Sequence, residues 1–517
     1  MAYRVAYGPD SAPKIGVVAN SIEAFNEKAK EITEGQFINL FEQFKKEGVV
    51  SQDSIYYPKR IFGPHEAYEV AKLFSQEQVD VVVILNSAFP NGHALSTIAT
   101  YPYLVKIPII VTASPEVDLG IPEWVSNAWC GVIMNNYAAK QIGHCVYPLA
   151  GFPSEEAYQD ELKMLLNVFH AVAQMRRDFL GRFGEAPGGF HSASGNQLVY
   201  AEKFGTRVET IDLTAVINTY KTKVATGYKG EVTFSENEVK QTWEEMQSGR
   251  IVLVDQNYLE KAARLYHSLR AIIKANGFTS IAFRCWPEMN EAYMNVAPCL
   301  AMTWLLAKGD VIAASCESDW PTAVAQSLGT YLSGKPAACL DFVNYVGGSE
   351  IVQLGHCGVG IAGYMAPNDE ALLKEISNNK GKVSEDLKER ILTGKVKVND
   401  ALAEHTTLRQ VGVKIGPVHI GQFQYGKKTG INLIWDRTGK FKMLVFVGEN
   451  SKDTARGMLY SAADVKVKNY RRLNQLILEH GFSHHLAMAF GDISRELKVL
   501  CDYYGIEYVS PDQECRQ

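Results

Sequence analysis

The chain has 517 residues, of which 46% are apolar and 21% are charged. These fractions are near those of ordinary globular proteins, so they exclude a disordered chain, a collagen-like repeat and a coiled coil. With 52 Lys and Arg against 57 Asp and Glu, the net charge of −5 provides no broad basic surface for nucleic acid or an anionic membrane. The length predicts about three domains.

The lack of a recognisable membrane span or signal peptide predicts a cytoplasmic protein. No run approaches the roughly 20 apolar residues of a membrane span, and the N-terminal segment lacks the pattern of a signal peptide. The nine cysteines include no Cys-x-x-Cys pair, and several lie in apolar runs. This usage is typical of reduced thiols in a core. We therefore expect a cytoplasmic protein that binds neither nucleic acid nor membranes.

The first part of the chain alternates apolar runs with amphipathic segments. Continuous apolar runs occupy residues 14–20, 79–86 and 107–114. Such runs predict strands that are covered on both faces of a parallel sheet. Asn20 is the expected N-cap of a helix over 21–48. Residues 1–155 are assigned to an N-terminal α/β domain.

A second series of apolar runs and helices follows a long amphipathic segment at 154–184, and it predicts a central α/β domain over 156–345. Beyond it, apolar and polar positions alternate between glycines, as in GVKIGPVHIGQFQ at 412–424. Alternation of this kind predicts a largely antiparallel domain over 346–517. The predicted fold is therefore two Rossmann-like α/β domains followed by a β-rich C-terminal domain.

The segment 310–345 contains a strand–helix–strand pattern. Its two apolar runs cover residues 311–316 and 336–340. In the helix between them, Asp319 is the expected N-cap, Pro321 lies in the first turn and Gly334 ends the helix. The right-handed crossover of such a unit makes its strands parallel, so direct neighbours would lie about 4.8 Å apart.

An acid follows each of these strands, Glu317 after the first and Asp341 after the second. At the carboxyl ends of neighbouring parallel strands the two side chains would emerge together, where open α/β sheets bind ligands. Adjacent carboxylates repel each other unless a proton or a cation lies between them, and Mn²⁺ or Mg²⁺ suits carboxylate oxygens. From spacing alone, a shared site and two independent acids that cap helices or face solvent are equally supported.

Histidines are the complementary signal, although a single histidine is more often a structural residue than a metal ligand. His356 lies in the next strand-like run, and His484 and His485 form a doublet near the C-terminus. On a strand, the two rings of a doublet point to opposite faces, so at most one is expected to reach a given metal. The spacing does not decide which.

These segments together resemble the L-fucose isomerase and L-arabinose isomerase superfamily. The resemblance is carried by CESD at 316–319, Asp341, GHCG at 355–358, GFSHHLAMAFGDISREL at 481–497, FRCWPEM at 283–289 and APCLAMTWLLAKGD at 297–310. It implies a catalytic Mn²⁺, or alternatively Mg²⁺ or Co²⁺, that is held by Glu317, Asp341 and His485. His356 matches a further histidine of the arabinose branch, and is expected to bind either metal or substrate.

The implied activity is the interconversion of an aldose and its ketose through a cis-enediolate. Glu317 and Asp341 are the implied proton-transfer pair, without an assignment of base and acid. Glu288, Trp286 and Asn344 lie near the predicted strand ends and are candidates for substrate contacts, although loop or packing roles explain them equally well. The sequence does not decide whether the substrate is L-fucose, D-arabinose, L-arabinose or a 6-substituted, anionic hexose.

The resemblance also implies a homo-oligomer, expected to be a hexamer, in which the N-terminal domain of a neighbouring subunit closes the active site. His93 and Trp129 are candidates for that lid. Two other classes of function are compatible with the sequence. One is a sugar-binding or regulatory protein of the same fold without turnover, and the other is a metal-dependent aldolase or epimerase.

Overall fold

The structure is a computed structural model of the chain. It describes residues 12–120, 124–289, 294–347, 349–357, 359–366, 370–380, 382–393, 395–396, 401–405, 415–455 and 461–513. The described chain forms two compact units, one that ends at Gln174 and one that begins at Met175. No helix among the described residues is both long and apolar enough for a membrane span.

The first unit is built on a five-stranded parallel sheet. Its strands are β1 (Ile15–Asn20), β2 (Ile55–Tyr56), β3 (Val81–Asn86), β4 (Ile109–Ala113) and β5 (Val146–Ala150), in the order β2-β1-β3-β4-β5. Its helices are α1 (Glu27–Glu47), α2 (Pro64–Gln76), α3 (His93–Thr100) and α4 (Ala128–Gln141), and α5 (Glu156–Arg177) contains the boundary between the units. All residues of β1, β3 and β4 are buried, which confirms the prediction of covered parallel strands.

The predicted N-cap of the first helix is wrong. Asn20 is the last residue of β1. The helix begins only at Glu27, where the side chain of Asn26 accepts a hydrogen bond from the backbone N–H of Ala29. Both asparagines suit an N-cap, and the chain uses the later one because a short connection first leaves the sheet edge.

The second unit contains a parallel sheet, a hairpin and a barrel. Its strands are β6 (Phe179–Phe183), β7 (Arg207–Ile211), β8 (Val224–Gly227), β9 (Gly230–Thr233), β10 (Ile251–Val252), β11 (Ser280–Phe283), β12 (Ala314–Cys316), β13 (Ala338–Tyr345), β14 (Ile351–His356), β15 (Ala401–His405), β16 (Ile415–Gln422), β17 (Gly426–Trp435), β18 (Phe441–Asn450), β19 (Ser461–Lys466), β20 (His485–Phe490) and β21 (Glu507–Val509). Its helices are α6 (Gln197–Phe204), α7 (Leu213–Thr222), α8 (Glu236–Gln247), α9 (Gln256–Asn276), α10 (Cys299–Ala307), α11 (Trp320–Ser333), α12 (Glu370–Asn378), α13 (Glu385–Leu392), α14 (Tyr470–His480) and α15 (Ser494–Tyr504).

The parallel sheet has the order β12-β11-β6-β7. The barrel is antiparallel and closes through β19-β14-β13-β20-β17-β18, since β18 also pairs with β19. Strands β16, β15 and β10 extend it from β19, and β21 extends it from β18. Parallel α/β sheets and a β-rich C-terminal part are therefore confirmed. The domain limits predicted at residues 155 and 345 stay predictions.

The predicted pairing of the strands around α11 is wrong. Strand β12 lies at the edge of the parallel sheet beside β11, whereas β13 lies in the barrel between β14 and β20. Asp341 consequently does not follow a strand but is the fourth residue of β13. The helix itself is as predicted, because Asp319 caps it and Gly334 ends it with a left-handed φ of 66°.

Candidate active site

The functional candidates converge on His485, the first residue of β20, whose side chain is 1% exposed. Its Nε2 lies 3.3 Å from Oε2 of Glu317 and 3.3 Å from Oδ1 of Asp341. We call these three residues the His485 cluster. Although Nε2 is buried, it has no hydrogen-bond partner among the described residues. A buried imidazole nitrogen that faces two carboxylate oxygens in this way offers the donor set of a divalent cation.

The barrel places two of these residues by register. Asp341 of β13 is paired directly with His485 of β20, so their side chains lie on the same face of the barrel wall. The sequence analysis expected strand pairing to bring Asp341 beside Glu317, whereas the antiparallel pairing brings it beside His485. Glu317 belongs to a different sheet, where it directly follows β12.

A strained turn positions Glu317. Both Glu317 (φ 57°) and Ser318 (φ 56°) have left-handed backbone conformations, which are uncommon outside glycine. The hydroxyl of Ser318 holds the turn, since it donates to the carbonyl of Gly184 at 2.6 Å and accepts from Nε of Arg182 at 3.2 Å. The indole Nε1 of Trp286 donates to Oε1 of Glu317 at 2.9 Å. Oε2 is thereby left to face His485.

Asp319, which the sequence analysis recognised only as a helix cap, is a further member of the candidate site. Its Oδ1 accepts from the backbone N–H of Thr322 at 3.0 Å, which confirms the cap, and its Oδ2 lies 2.7 Å from Nδ1 of His485. Because an ionised carboxylate only accepts, Nδ1 carries the proton and the lone pair of Nε2 points into the cluster. The only sequence signal for this role is its position two residues after Glu317.

The cluster strongly favours positive charge. Burial raises the pKa of Glu317, but its contacts with His485, His356 and Trp286 outweigh burial and hold the pKa at about 2. Burial lowers the pKa of His485, but the nearby Cys339 thiol and the carboxylates of Asp319 and Glu317 raise that pKa well above its usual value. A proton bound here occupies the place of a cation, so metal binding would release it.

The expectation that the two rings of the doublet point to opposite faces of a strand is wrong, whereas the number of these histidines that reach a metal stays a prediction. His484 precedes β20, so strand alternation does not apply to it, and its ring centroid lies 4.2 Å from that of His485. One ligand atom each of Glu317, His484 and His485 lie within 4.8 Å of one another. His484 is therefore a further candidate ligand, and its Nδ1 lies 3.2 Å from the hydroxyl of Ser192.

His356 ends β14 and is buried beside the cluster, with its ring centroid 5.6 Å from that of His485. Its Nε2 has no hydrogen-bond partner in the described part of the chain, and its Nδ1 lies 3.4 Å from Sγ of Cys357. Burial lowers the pKa of His356, but the Cys357 thiol and Asp341 raise it to about 9. The structure brings His356 to the cluster, as expected for either of its two proposed roles.

The three other substrate candidates differ in placement. Trp286 contacts Glu317, as described above. The carboxylate of Glu288 is bound by the guanidinium of Arg284, with an Nε–Oε2 distance of 2.7 Å. The amide of Asn344 donates to Gln353 on the neighbouring strand at 3.1 Å. The hydrogen bonds of Glu288 and Asn344 thus run elsewhere, and their substrate roles stay predictions.

Phe190 is an aromatic residue at this site that the sequence analysis did not single out. It lies in the connection between β6 and α6. Its ring stands edge-on to Trp286, with centroids 5.3 Å apart, and to His484 at 6.0 Å. Together with Trp286 it forms an apolar wall beside the His485 cluster.

The lid candidates belong to the first unit. His93 begins α3 and is exposed. Trp129 lies on α4 with half of its surface exposed. Their proposed role in a neighbouring subunit's site stays a prediction.

Comparison with known proteins supplies the class of activity. No family model matches the chain. A protein of Alkalicoccus urumqiensis named sulfoquinovose isomerase is 23% identical over 437 residues, which is 83% of this chain and 86% of that protein. A second protein of the same name, from Clostridium sp. (strain MSTE9), is 23% identical over 368 residues, 69% of this chain and 70% of its own length. These similarities confirm the prediction that the chain is an enzyme, an aldose–ketose sugar isomerase.

Proposed function

We propose that the protein is a Mn²⁺-dependent isomerase of a sulfo-sugar of the sulfoquinovose type, a hexose with a sulfonate at C6. The observation that carries the proposal is the buried Nε2 of His485 between the carboxylates of Glu317 and Asp341, which has no hydrogen-bond partner among the described residues. The substrate class is supported by the shared name of the two relatives. It is the anionic, 6-substituted hexose among the substrates that the sequence left open.

Glu317, Asp341 and His485 would hold the cation. Two carboxylate oxygens and one imidazole nitrogen suit Mn²⁺, and Mg²⁺ or Co²⁺ as substitutes. When bound, such a cation polarises the carbonyl group of the sugar and stabilises the negative charge that develops on its oxygens. His484 and His356 lie close enough to complete the ligand set or to bind a substrate hydroxyl.

The carboxylates of this chain would move the protons. Isomerisation transfers one proton between C1 and C2 of the open-chain sugar and another between O1 and O2. One of the two carboxylates takes the carbon-bound proton, which yields the cis-enediolate of the sugar, and the other relays the proton between the oxygens. Trp286 fixes Oε1 of Glu317, so Oε2 is the oxygen available to the reaction.

The direct test is the exchange of each carboxylate for its amide. In Glu317→Gln and Asp341→Asn we expect turnover of sulfoquinovose to fall about 10²–10⁴-fold, since the acid–base group is lost, while circular dichroism stays unchanged. Turnover is measured by NMR in D₂O with Mn²⁺, and again after treatment with EDTA. An isomerase incorporates deuterium at C1 or C2 and requires restored metal.

Glu350→Gln is the matched control, because the side chain of Glu350 forms a solvent-exposed ion pair with Lys466. It is expected to keep wild-type turnover. Near-wild-type activity in either site variant would contradict the assigned roles. Release of sugar fragments would indicate an aldolase, and binding of sugar without any exchange would indicate a silent binding protein.

A further inference from the structure

A group of four thiols lies beside the His485 cluster and has no part in the proposed isomerisation. Its members come from four separate segments: Cys285 follows β11, Cys299 begins α10, Cys316 ends β12 and Cys357 follows β14. The sulfur atoms of Cys299, Cys316 and Cys357 all lie within 4.8 Å of one another. The sulfur of Cys285 lies 3.2 Å from that of Cys316. We call these residues the thiol cluster.

Ordinary core packing does not account for this grouping. A single buried cysteine behaves as a small apolar side chain and packs well against hydrocarbon, as does Cys501 beside Met443. In the thiol cluster, by contrast, sulfur atoms lie next to other sulfur atoms, although 72 positions separate Cys285 from Cys357 in the sequence. Cys285, Cys299 and Cys316 are at most 2% exposed. Four segments therefore converge on one buried, sulfur-lined point.

The spacing fits a tetrahedral metal site. Zinc binds thiolate sulfur at about 2.3 Å, so the sulfurs of a tetrahedral zinc site stand about 3.8 Å apart. The sulfurs of the trio lie no more than 4.8 Å apart, which admits that value, and the Cys285–Cys316 separation of 3.2 Å lies below it. Soft thiolates select zinc, whereas carboxylates select harder ions such as Mn²⁺. The thiol cluster would therefore select zinc, and the His485 cluster would select a harder cation such as Mn²⁺.

We propose that Cys299, Cys316 and Cys357, with Cys285 as the fourth ligand, bind a structural Zn²⁺ that is distinct from the catalytic cation. With four thiolates the site is closed and offers no open position for substrate. Its function would be positional, because Cys316 directly precedes Glu317, Cys285 directly precedes Trp286 and Cys357 directly follows His356. One ion would thus tie together three backbone segments that carry residues of the candidate active site.

His356 connects the two clusters. Its Nδ1 lies 3.4 Å from the sulfur of Cys357, and its Nε2 is without a hydrogen-bond partner in the part of the chain that the structure describes. A zinc-bound thiolate of Cys357 would accept a hydrogen bond from the Nδ1–H of His356, which would fix the tautomer and leave the Nε2 lone pair available, as outer partners do for metal-binding histidines.

The test compares metal content under reducing conditions. The full-length protein is treated with EDTA to strip weakly held cations, and zinc is measured by mass spectrometry. We expect about one equivalent of zinc per chain to remain, and none in Cys299→Ser. Cys501→Ser, which changes a buried thiol outside the thiol cluster, is expected to keep its zinc.

Cobalt provides a readout that does not depend on any variant. After zinc is exchanged for Co²⁺, the wild-type protein is expected to show an intense thiolate-to-cobalt charge-transfer band in the near ultraviolet, which carboxylate and imidazole ligands do not produce. Absence of both zinc and this band from the reduced wild-type protein would overturn the proposal. So would zinc that is lost in His485→Asn but kept in Cys299→Ser, because the ion would then belong to the His485 cluster.

Discussion

Asp319 uses its two carboxylate oxygens for two different tasks, one for the helix and one for the site. Oδ1 caps α11, and Oδ2 accepts a hydrogen bond from the Nδ1–H of His485. Exchange of Asp319 for Asn separates the two tasks, because asparagine caps a helix about as well as aspartate but is a neutral and weaker acceptor for the imidazole. The consequence should therefore appear in metal affinity rather than in folding.

For Asp319→Asn we expect the Mn²⁺ concentration that gives half-maximal activity to rise about 10–100-fold, the usual cost of losing an outer-sphere partner of a metal ligand. Saturating Mn²⁺ should restore much of the turnover. Activity is measured over a Mn²⁺ titration, together with the thermal unfolding midpoint.

Asp255→Asn serves as the control. The side chain of Asp255 caps α9 by accepting from the backbone N–H of Asn257, and no histidine contact is found for it among the described residues. Its Mn²⁺ requirement should match that of the wild type. An unchanged Mn²⁺ requirement in Asp319→Asn would show that Asp319 is only a helix cap.

At the scale of elements, the turn between β12 and α11 carries the clearest conformational cost. The left-handed φ angles of Glu317 and Ser318 are unfavourable by about 1–2 kcal/mol per residue. The hydrogen bonds of the Ser318 hydroxyl to Gly184 and from Arg182 offset this cost. The turn thus ties the backbone next to Glu317 to strand β6, which lies beyond β11 in the same sheet, and to the loop after β6.

Two substitutions of Ser318 separate strain from hydrogen bonding. Ser318→Ala keeps the strain and loses the hydrogen bonds, so we expect it to lower the free energy of unfolding by about 1–3 kcal/mol. Ser318→Gly loses the same bonds but accepts the left-handed conformation, and should be less destabilised than alanine by about 0.5–1 kcal/mol. Thermal unfolding midpoints in one buffer should rank wild type above glycine and glycine above alanine.

Ser268 provides the opposite reference. It is buried within α9, and its hydroxyl donates to the carbonyl of Arg264. There alanine should be more stable than glycine, because glycine is the poorer helix former. If alanine also exceeds glycine at Ser318, the strain at this turn does not contribute to stability.

The same elements explain how far the sequence could predict the fold. Continuous apolar runs correctly predicted the buried strands of the first unit. Asp319 and Gly334 correctly predicted the N-cap and the C-terminal end of α11. The run at 336–340 has the same character in a barrel wall as in a parallel sheet, so its burial pattern could not identify its partners. The pairing of Asp341 with His485 is a long-range contact, and no local pattern encodes it.

For the candidate site, the sequence indicated which residue types belong together but not how they meet. Glu317, Asp341 and His485 do converge, yet through a barrel register and a strained turn rather than through neighbouring parallel strands. The second task of Asp319 and the position of Phe190 depend on side-chain contacts across 166 residues or between loops. Such contacts leave no periodic signal in the chain.

On the scale of the whole molecule, the first unit carries an exposed apolar stripe on helix α4. Helix α4 exposes Trp129, Ile133 and Tyr137 by 50%, 56% and 67% of their surfaces. Their spacing of four residues places them on one helix face, and a contiguous apolar patch of this kind is typical of an interface. This stripe supports the homo-oligomer that the resemblance implies, since it includes the lid candidate Trp129.

A charge in the centre of the stripe should disrupt that assembly. Burial of one such side chain contributes about 1.5–3 kcal/mol, and a carboxylate without a partner in an apolar contact is unfavourable. We therefore expect Ile133→Asp to shift the protein to a smaller species in light scattering after size exclusion, and to lower its specific activity as the protein is diluted. Leu478→Asp is the control, because Leu478 is 83% exposed on α14 and lies outside the stripe. If Ile133→Asp keeps the mass of the wild type, α4 is not part of the interface; if the mass falls while specific activity is unaffected, the active site is complete within one subunit.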